Sequence, residues 1–259
     1  MNMGMIIFIT TSFGLLIGSF LNVVIYRLPR HQNLLLPRSH CRHCHHALAA
    51  WQNVPILSYF LLRGKCYYCH DKISHRYPAI ELLTALLSGF LSWHFGFGFL
   101  LFGSLLFSWI LLACMMIDLD HQILPDELTL PLLWLGLLFN LHHGFAALSD
   151  AVLGAAIGYL IFWAIYWIFK GFTGKEGLGY GDFKLLAALG AWLGWQQLPL
   201  VILLSALLGL LLALLFSIWK KTSLKQAVPF GPALAIAGCI ALLWGQTWIN
   251  GYLQWITPS

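Results

Sequence analysis

Leu198–Trp219 reads LPLVILLSALLGLLLALLFSIW, 22 residues without a single charged side chain. A helix needs about 20 consecutive apolar residues to cross a bilayer, so this stretch alone predicts a transmembrane span. Working outward from it, comparable apolar runs occupy 5–26, 79–97, 99–117, 128–141, 151–169, 183–195 and 231–249. The composition agrees: 60% of the 259 residues are hydrophobic and 9% charged, against roughly 45–50% and about 25% in ordinary globular domains. A mean hydropathy of +0.80 excludes a soluble protein. The expected fold is therefore an all-α polytopic membrane protein with about eight transmembrane helices. The runs at 128–141 and 183–195 are short, and a short span must thin the membrane, sit partly within the protein or begin with irregular backbone.

The net charge of +5 comes from 14 Lys and Arg against 9 Asp and Glu. In a soluble domain that balance would suggest an acidic partner or nucleic acid; here the positions of the charges decide, and no nucleic-acid partner is expected. If the first span runs from outside to inside, the inner segments are 27–78, 118–127, 170–182 and 220–230. Every Lys and Arg then falls inside or at an inner helix end, Lys184 included, which places both termini outside. The first apolar run has no basic residue before it and no small-residue cleavage site, so it reads as a retained span. Three regions follow: a first helix over 1–26, an inner loop over 27–78, and a seven-helix membrane core over 79–259.

Within the loop, Cys41-Arg-His-Cys44 and Cys66-Tyr-Tyr-Cys69 form two pairs with 21 residues between them. A two-residue gap lets both thiolates of a pair face one ion, and two pairs complete a closed tetrahedral zinc site. The inner compartment is reducing, which disfavours disulfides. Four thiolates leave no open position for water, so this zinc is expected to be structural. The neighbouring His40, His43, His45, His46 and His70 read as surface histidines, Cys114 and Cys239 as small buried hydrophobes, and the loop has room for a short hairpin.

Carboxylates are scarce, so their placement is informative. Asp118 ends the third span, and Asp182 opens the sixth behind Gly179-Tyr180-Gly181. An ionisable residue at a span end is costly unless paired or wetted, which makes both functional candidates. Two carboxylates sharing one region cannot both ionise easily, as a water-activating acid/base pair requires. Gly179 and Gly181, lacking Cβ, allow a bound peptide to approach. Plainer roles compete: Asp182 as the cap of its helix, Asp126 as the cap of the fourth, Asp118 as an interfacial residue.

Taken together, Gly18–Pro29 (GSFLNVVIYRLP), the paired cysteines, Arg76–Leu83 (RYPAIELL), Ile117–Asp126 (IDLDHQILPD), Gly177–Leu186 (GLGYGDFKLL) and Pro229–Pro232 (PFGP) are arranged as in one family. The chain resembles the bacterial type IV prepilin peptidases, membrane aspartic proteases of the Gly-x-Gly-Asp type, over almost its whole length. The resemblance implies that Asp118 and Asp182 are the catalytic pair, with Asp120, Asp126, Gly179, Gly181 and Lys184 in support. It also implies cleavage of a basic leader from prepilins and pseudopilins after a Gly, at the cytoplasmic face of the inner membrane, with both termini periplasmic. The leader's charge would be drawn to Asp120, Asp126, Glu127 and Glu176. Family members that keep the four cysteines also methylate the new N-terminus from S-adenosylmethionine. No glycine fingerprint marks a site for that methyl donor, and no oligomeric state is read from the sequence. Membrane lipids are the other expected partner. A transporter or channel with intramembrane acids and a zinc-stabilised cap is the alternative, although no repeat of the kind transporters carry is visible.

Overall fold

The computed structural model describes residues 2–175, 177–220 and 229–256. Glu176 and most of the inner segment 220–230 therefore lie outside the described residues. The regular elements are helical: α1 (Met3–Arg27), α2 (Leu57–Leu61), α3 (Arg76–Phe95), α4 (Phe99–His121), α5 (Asp126–Asn140), α6 (Leu148–Thr173), α7 (Tyr180–Leu193), α8 (Leu198–Lys220), α9 (Gly231–Ile240) and α10 (Gln246–Ile256), with a π-helical turn at Ala241–Gly245 joining the last two. Seven of the eight expected spans each fall on one of these helices, and the eighth, 231–249, runs through α9 and the π-helical turn into α10. The hairpin expected in the loop is reduced to two isolated antiparallel bridges, His40 with Ala47 and Lys65 with Lys72.

Among the described residues, five helical stretches are long and apolar enough to cross a bilayer by themselves: Met3–Arg30, Phe99–His121, Leu148–Thr173, Trp195–Leu215 and Gly231–Trp255. With 14 residues, α7 rises about 21 Å, short of a hydrocarbon core of about 30 Å. Its surroundings explain how it is tolerated, since every residue from Leu185 to Leu193 is buried. Of the options for a short span, α7 takes the one of sitting within the protein.

The chain divides into two compact units, Met1–Trp109 and Ile110–Ser259. In the first, α1 packs along α3. Gly18 makes the approach possible, because a Cβ there would lie 2.7 Å from the Glu81 Cα. Thr84, Ser88 and Ser92 line the buried side of α3, with hydroxyls returned to carbonyls of their own helix. Such back-bonding satisfies polar groups that would be costly in an apolar interior. The buried guanidinium of Arg27 donates to the carbonyls of Asn33, Leu34 and Pro37 at 2.7–3.2 Å, fixing the start of the polar loop.

In the second unit α7 is the core. Gly154 of α6 and Gly190 of α7 meet backbone to backbone, leaving no room for a Cβ on either, the small-residue contact that lets apolar helices pack closely. On another side, Gly136 of α5 sits over the Trp192 indole, whose N–H donates to the Leu132 carbonyl at 2.8 Å. Asn140 closes the far end of α7. Its amide donates to the Ala191 and Trp192 carbonyls, and its oxygen accepts the N–H groups of Phe145 and Ala146. Helix-end carbonyls without such partners would remain unsatisfied.

Candidate functional site

Asp118 stands in the last turn of α4 and Asp182 in the first turn of α7, 5% and 8% exposed. They are close enough to interact electrostatically. The Gly231 N–H, at the start of α9, donates to Asp118 Oδ2 at 2.8 Å, and the Gly179 N–H donates to Asp182 Oδ2 at 3.1 Å. Each carboxylate thus has one oxygen fixed by a backbone donor, and a carboxylate at a helix N-terminus also faces the positive end of the helix dipole. The capping role weighed for Asp182 is real and coexists with its place beside Asp118.

Glycine permits this assembly at two points. At Gly181 a Cβ would lie 2.7 Å from the Leu124 Cβ, so the absence of a side chain lets the segment after Asp118 pack against the turn before Asp182. Gly231 abuts Asp118 itself, since a Cβ there would fall 2.7 Å from Asp118 Oδ2. A Cβ added at Gly179 would meet, among the described residues, only Asp182 Oδ2 at 3.4 Å.

The supporting residues separate. Lys184 donates to both oxygens of Asp126, at 2.6 and 2.8 Å, joining α7 to α5 through a bidentate contact. Asp126 opens α5 without capping it by its side chain. Asp120 is exposed, away from the buried face that holds Asp118.

The four loop cysteines form a second cluster, with all four sulfurs within 4.8 Å of one another and no disulfide. The two knuckles repeat one geometry. Cys41 and Cys66 each donate N–H to a carbonyl five residues on and accept from the residue four on. The N–H groups donating to the Cys41 and Cys66 carbonyls belong to His45 and His70, both with positive φ. Tetrahedral zinc with Zn–S bonds of about 2.3 Å places its sulfurs about 3.8 Å apart, and Cys41 and Cys69 stand 3.7 Å apart. The donor set therefore fits zinc. The metal-free cluster holds its protons unevenly: the Cys69 backbone N–H pulls the Cys66 thiol down to about 7, while burial and the neighbouring sulfurs push Cys69 up to about 12, so a metal would have to displace protons to bind all four. His43, His45, His46 and His70 are exposed, Cys114 is buried and Cys239 half-buried.

Family comparison places both clusters. The model of the bacterial peptidase A24 N-terminal domain matches residues 12–95, which hold the cysteines, and that of the type IV leader peptidase family matches 105–214, which hold both aspartates. Relatives from several bacteria bear the name prepilin leader peptidase/N-methyltransferase. That of Stutzerimonas stutzeri is 52% identical, covering 93% of this chain and 91% of its own. Those of Pseudomonas aeruginosa (51%; 95% and 92%) and Legionella pneumophila (46%; 93% and 92%) are similarly matched. The chain belongs to the type IV leader peptidase family. No solved structure matches it.

Membership sets aside the transporter alternative and makes the protein a multi-pass membrane enzyme. Several long-range contacts, at the paired aspartates and at the far end of α7, leave no mark in the sequence. Asn140 and the Gly231 N–H act across long sequence separations. Glu81 was detectable, because a carboxylate inside an apolar run must be answered by a partner; the structure supplies the Ile56 N–H at 2.7 Å.

Proposed function

We propose that this protein removes the basic leader from type IV prepilins and type II secretion pseudopilins, hydrolysing the bond after Gly with the Asp118/Asp182 pair, and methylates the N-terminus so released. The observation that carries the reading is the convergence of two nearly buried carboxylates, each fixed by a backbone N–H, in a chain half identical to prepilin leader peptidase/N-methyltransferases. The distribution of Lys and Arg supports a cytoplasmic site with both termini periplasmic.

In the first reaction one aspartate, ionised, takes a proton from water as the water oxygen bonds to the scissile carbonyl carbon. The other, protonated, donates to the carbonyl oxygen. Collapse of the tetrahedral intermediate breaks the C–N bond: the departing nitrogen receives a proton from the first aspartate, and one hydroxyl of the intermediate returns its proton to the second, restoring the starting pair. No acyl-enzyme forms. Cys41, Cys44, Cys66 and Cys69 would hold a structural zinc, organising a loop that has little apolar core. S-adenosylmethionine, when bound, supplies a methyl group on a sulfonium, whose carbon–sulfur electron pair stays with sulfur as the new amine takes the methyl.

The test is to incubate purified protein with a prepilin and S-adenosylmethionine and measure product mass. Loss of the leader plus one methyl is expected. Asp118→Asn and Asp182→Asn should each lower cleavage by at least the roughly 10²–10⁴-fold of general acid–base catalysis. A correctly inserted Asp182→Asn protein that trims prepilin at the normal rate would end the paired-aspartate mechanism.

A further inference from the structure

We propose that a cavity of about 360 Å³ in the first unit is the binding site for S-adenosylmethionine, with Glu81 facing its cationic end and the Gln52 amide reading its nucleoside. The proposal rests on the methyltransferase reading above. Its volume lies in the range of small-molecule sites, about 300–1,000 Å³, and suits a nucleoside-sized ligand better than a pilin helix. The inner end of α1, both cysteine knuckles, the Ala50–Leu62 segment and the start of α3 build its walls.

Two wall residues, Gln52 and Glu81, call for a ligand, and Ile56 stands behind the second. Gln52 is 6% exposed, and its oxygen is committed to the Ala49 N–H at 2.8 Å. Its Nε2 is buried with no partner among the described residues. Leaving a buried donor unmade costs about 1–3 kcal/mol, so an acceptor of the kind adenine or ribose carries belongs beside it. Ile56, a β-branched residue, is held at φ 61° and ψ −51°, a conformation such side chains rarely adopt. This strained residue is the one whose N–H fixes the Glu81 carboxylate.

Charge then selects among ligands. Glu81 is 8% exposed; its carboxylate accepts the neutral Ile56 N–H at 2.7 Å, and the side chain beside it, Ser19, is neutral too. A buried carboxylate answered only by neutral donors leaves a cation to be supplied. The opposite sign is present too: Arg42, held 3.6 Å over the Tyr26 ring and 5.3 Å from that of Tyr77, borders the same cavity with Lys72. Walls of both signs fit a ligand with a sulfonium, an ammonium and a carboxylate. A nucleotide polyphosphate would be repelled by the buried Glu81. Cys41 and Cys66 also line the cavity, so the zinc knuckles would shape this site.

The experiment is equilibrium binding of S-adenosylmethionine and S-adenosylhomocysteine to the purified full chain in detergent, without pilin. The two compounds differ at sulfur, sulfonium against neutral thioether. Glu81→Gln should weaken S-adenosylmethionine roughly 10–100-fold, as loss of a charged partner does, and affect S-adenosylhomocysteine clearly less. Gln52→Leu should weaken both by about threefold to tenfold. Variants that still cleave prepilin are folded and are the ones scored. Ultraviolet cross-linking of S-adenosylmethionine to the unaltered protein should label peptides within 19–81. Wild-type affinity in both variants, or a label confined to 110–256, would overturn the proposal. A chain that methylates pilin yet shows either result would lose this site and keep its activity, whereas a chain that never methylates would lose the underlying reading.

Discussion

Gly231→Ala isolates the position of one carboxylate from its chemistry. The added methyl would sit 2.7 Å from Asp118 Oδ2 and 3.1 Å from its Cγ, where ordinary contact begins at 3.4 Å, so the oxygen must withdraw by about 0.7 Å. Gly231 lies in α9 and donates its N–H to that same oxygen, so the withdrawal stretches or breaks the bond. A misplacement near 1 Å costs on the order of 10²-fold in rate, and a fall of roughly 10–100-fold in kcat for prepilin cleavage is expected. Stability should change far less. A hydrogen bond to a charged acceptor is worth about 1.5–3 kcal/mol, but alanine in a helix recovers about 1 kcal/mol over glycine. The assay is single-turnover cleavage of a prepilin by purified protein, with a thermal unfolding curve on the same sample. Methyl transfer to a pilin peptide already lacking its leader serves as the control and should persist. Cleavage within twofold of normal would refute the argument that the placement of Asp118 limits the reaction.

Asn140→Ala removes four hydrogen bonds from a buried residue and should destabilise the protein by about 2–4 kcal/mol, seen as a lower unfolding midpoint with cleavage per folded molecule nearly unchanged. Purified protein should contain one zinc by elemental analysis, and Cys41→Ser should lose it, with methyl transfer suffering more than cleavage; a zinc-free wild type would contradict the site. An Asn53→Cys protein should resist a membrane-impermeant thiol reagent applied to intact cells and react after lysis, since the loop is assigned to the inner face; labelling of intact cells would reverse the topology. Lys184→Met should leave measurable cleavage and cost about 0–1 kcal/mol, the range for exposed ion pairs, because its Asp126 partner is half exposed.

Hydropathy made the helices readable. Runs such as 198–219 contain no charge to contradict a span, and the observed elements begin and end within a few residues of the expected limits except at the C-terminus, where helix continues to Ile256. The cysteine pairs were legible because their ligands are local in sequence. Asp182 as a helix-opening residue was visible from its spacing after Gly179. The missing parts are those that depend on contacts between distant segments. Neither the Gly231 N–H at Asp118 nor the clasp between Lys184 and Asp126 leaves a local pattern. The burial of α7 was also hidden, because a 14-residue apolar run reads alike whether lipid or protein surrounds it.

That burial bears on how the enzyme is made. As the chain leaves the ribosome, the translocation machinery meets α7 as a segment too short to be held as a span, with Asp182 and Lys184 in its opening turns. Its resting place is formed by α5 and α6, both synthesised earlier, and the Gly154–Gly190 contact admits it only in one register. Asp182 therefore reaches Asp118 through late tertiary packing, after the membrane has already accepted its neighbours.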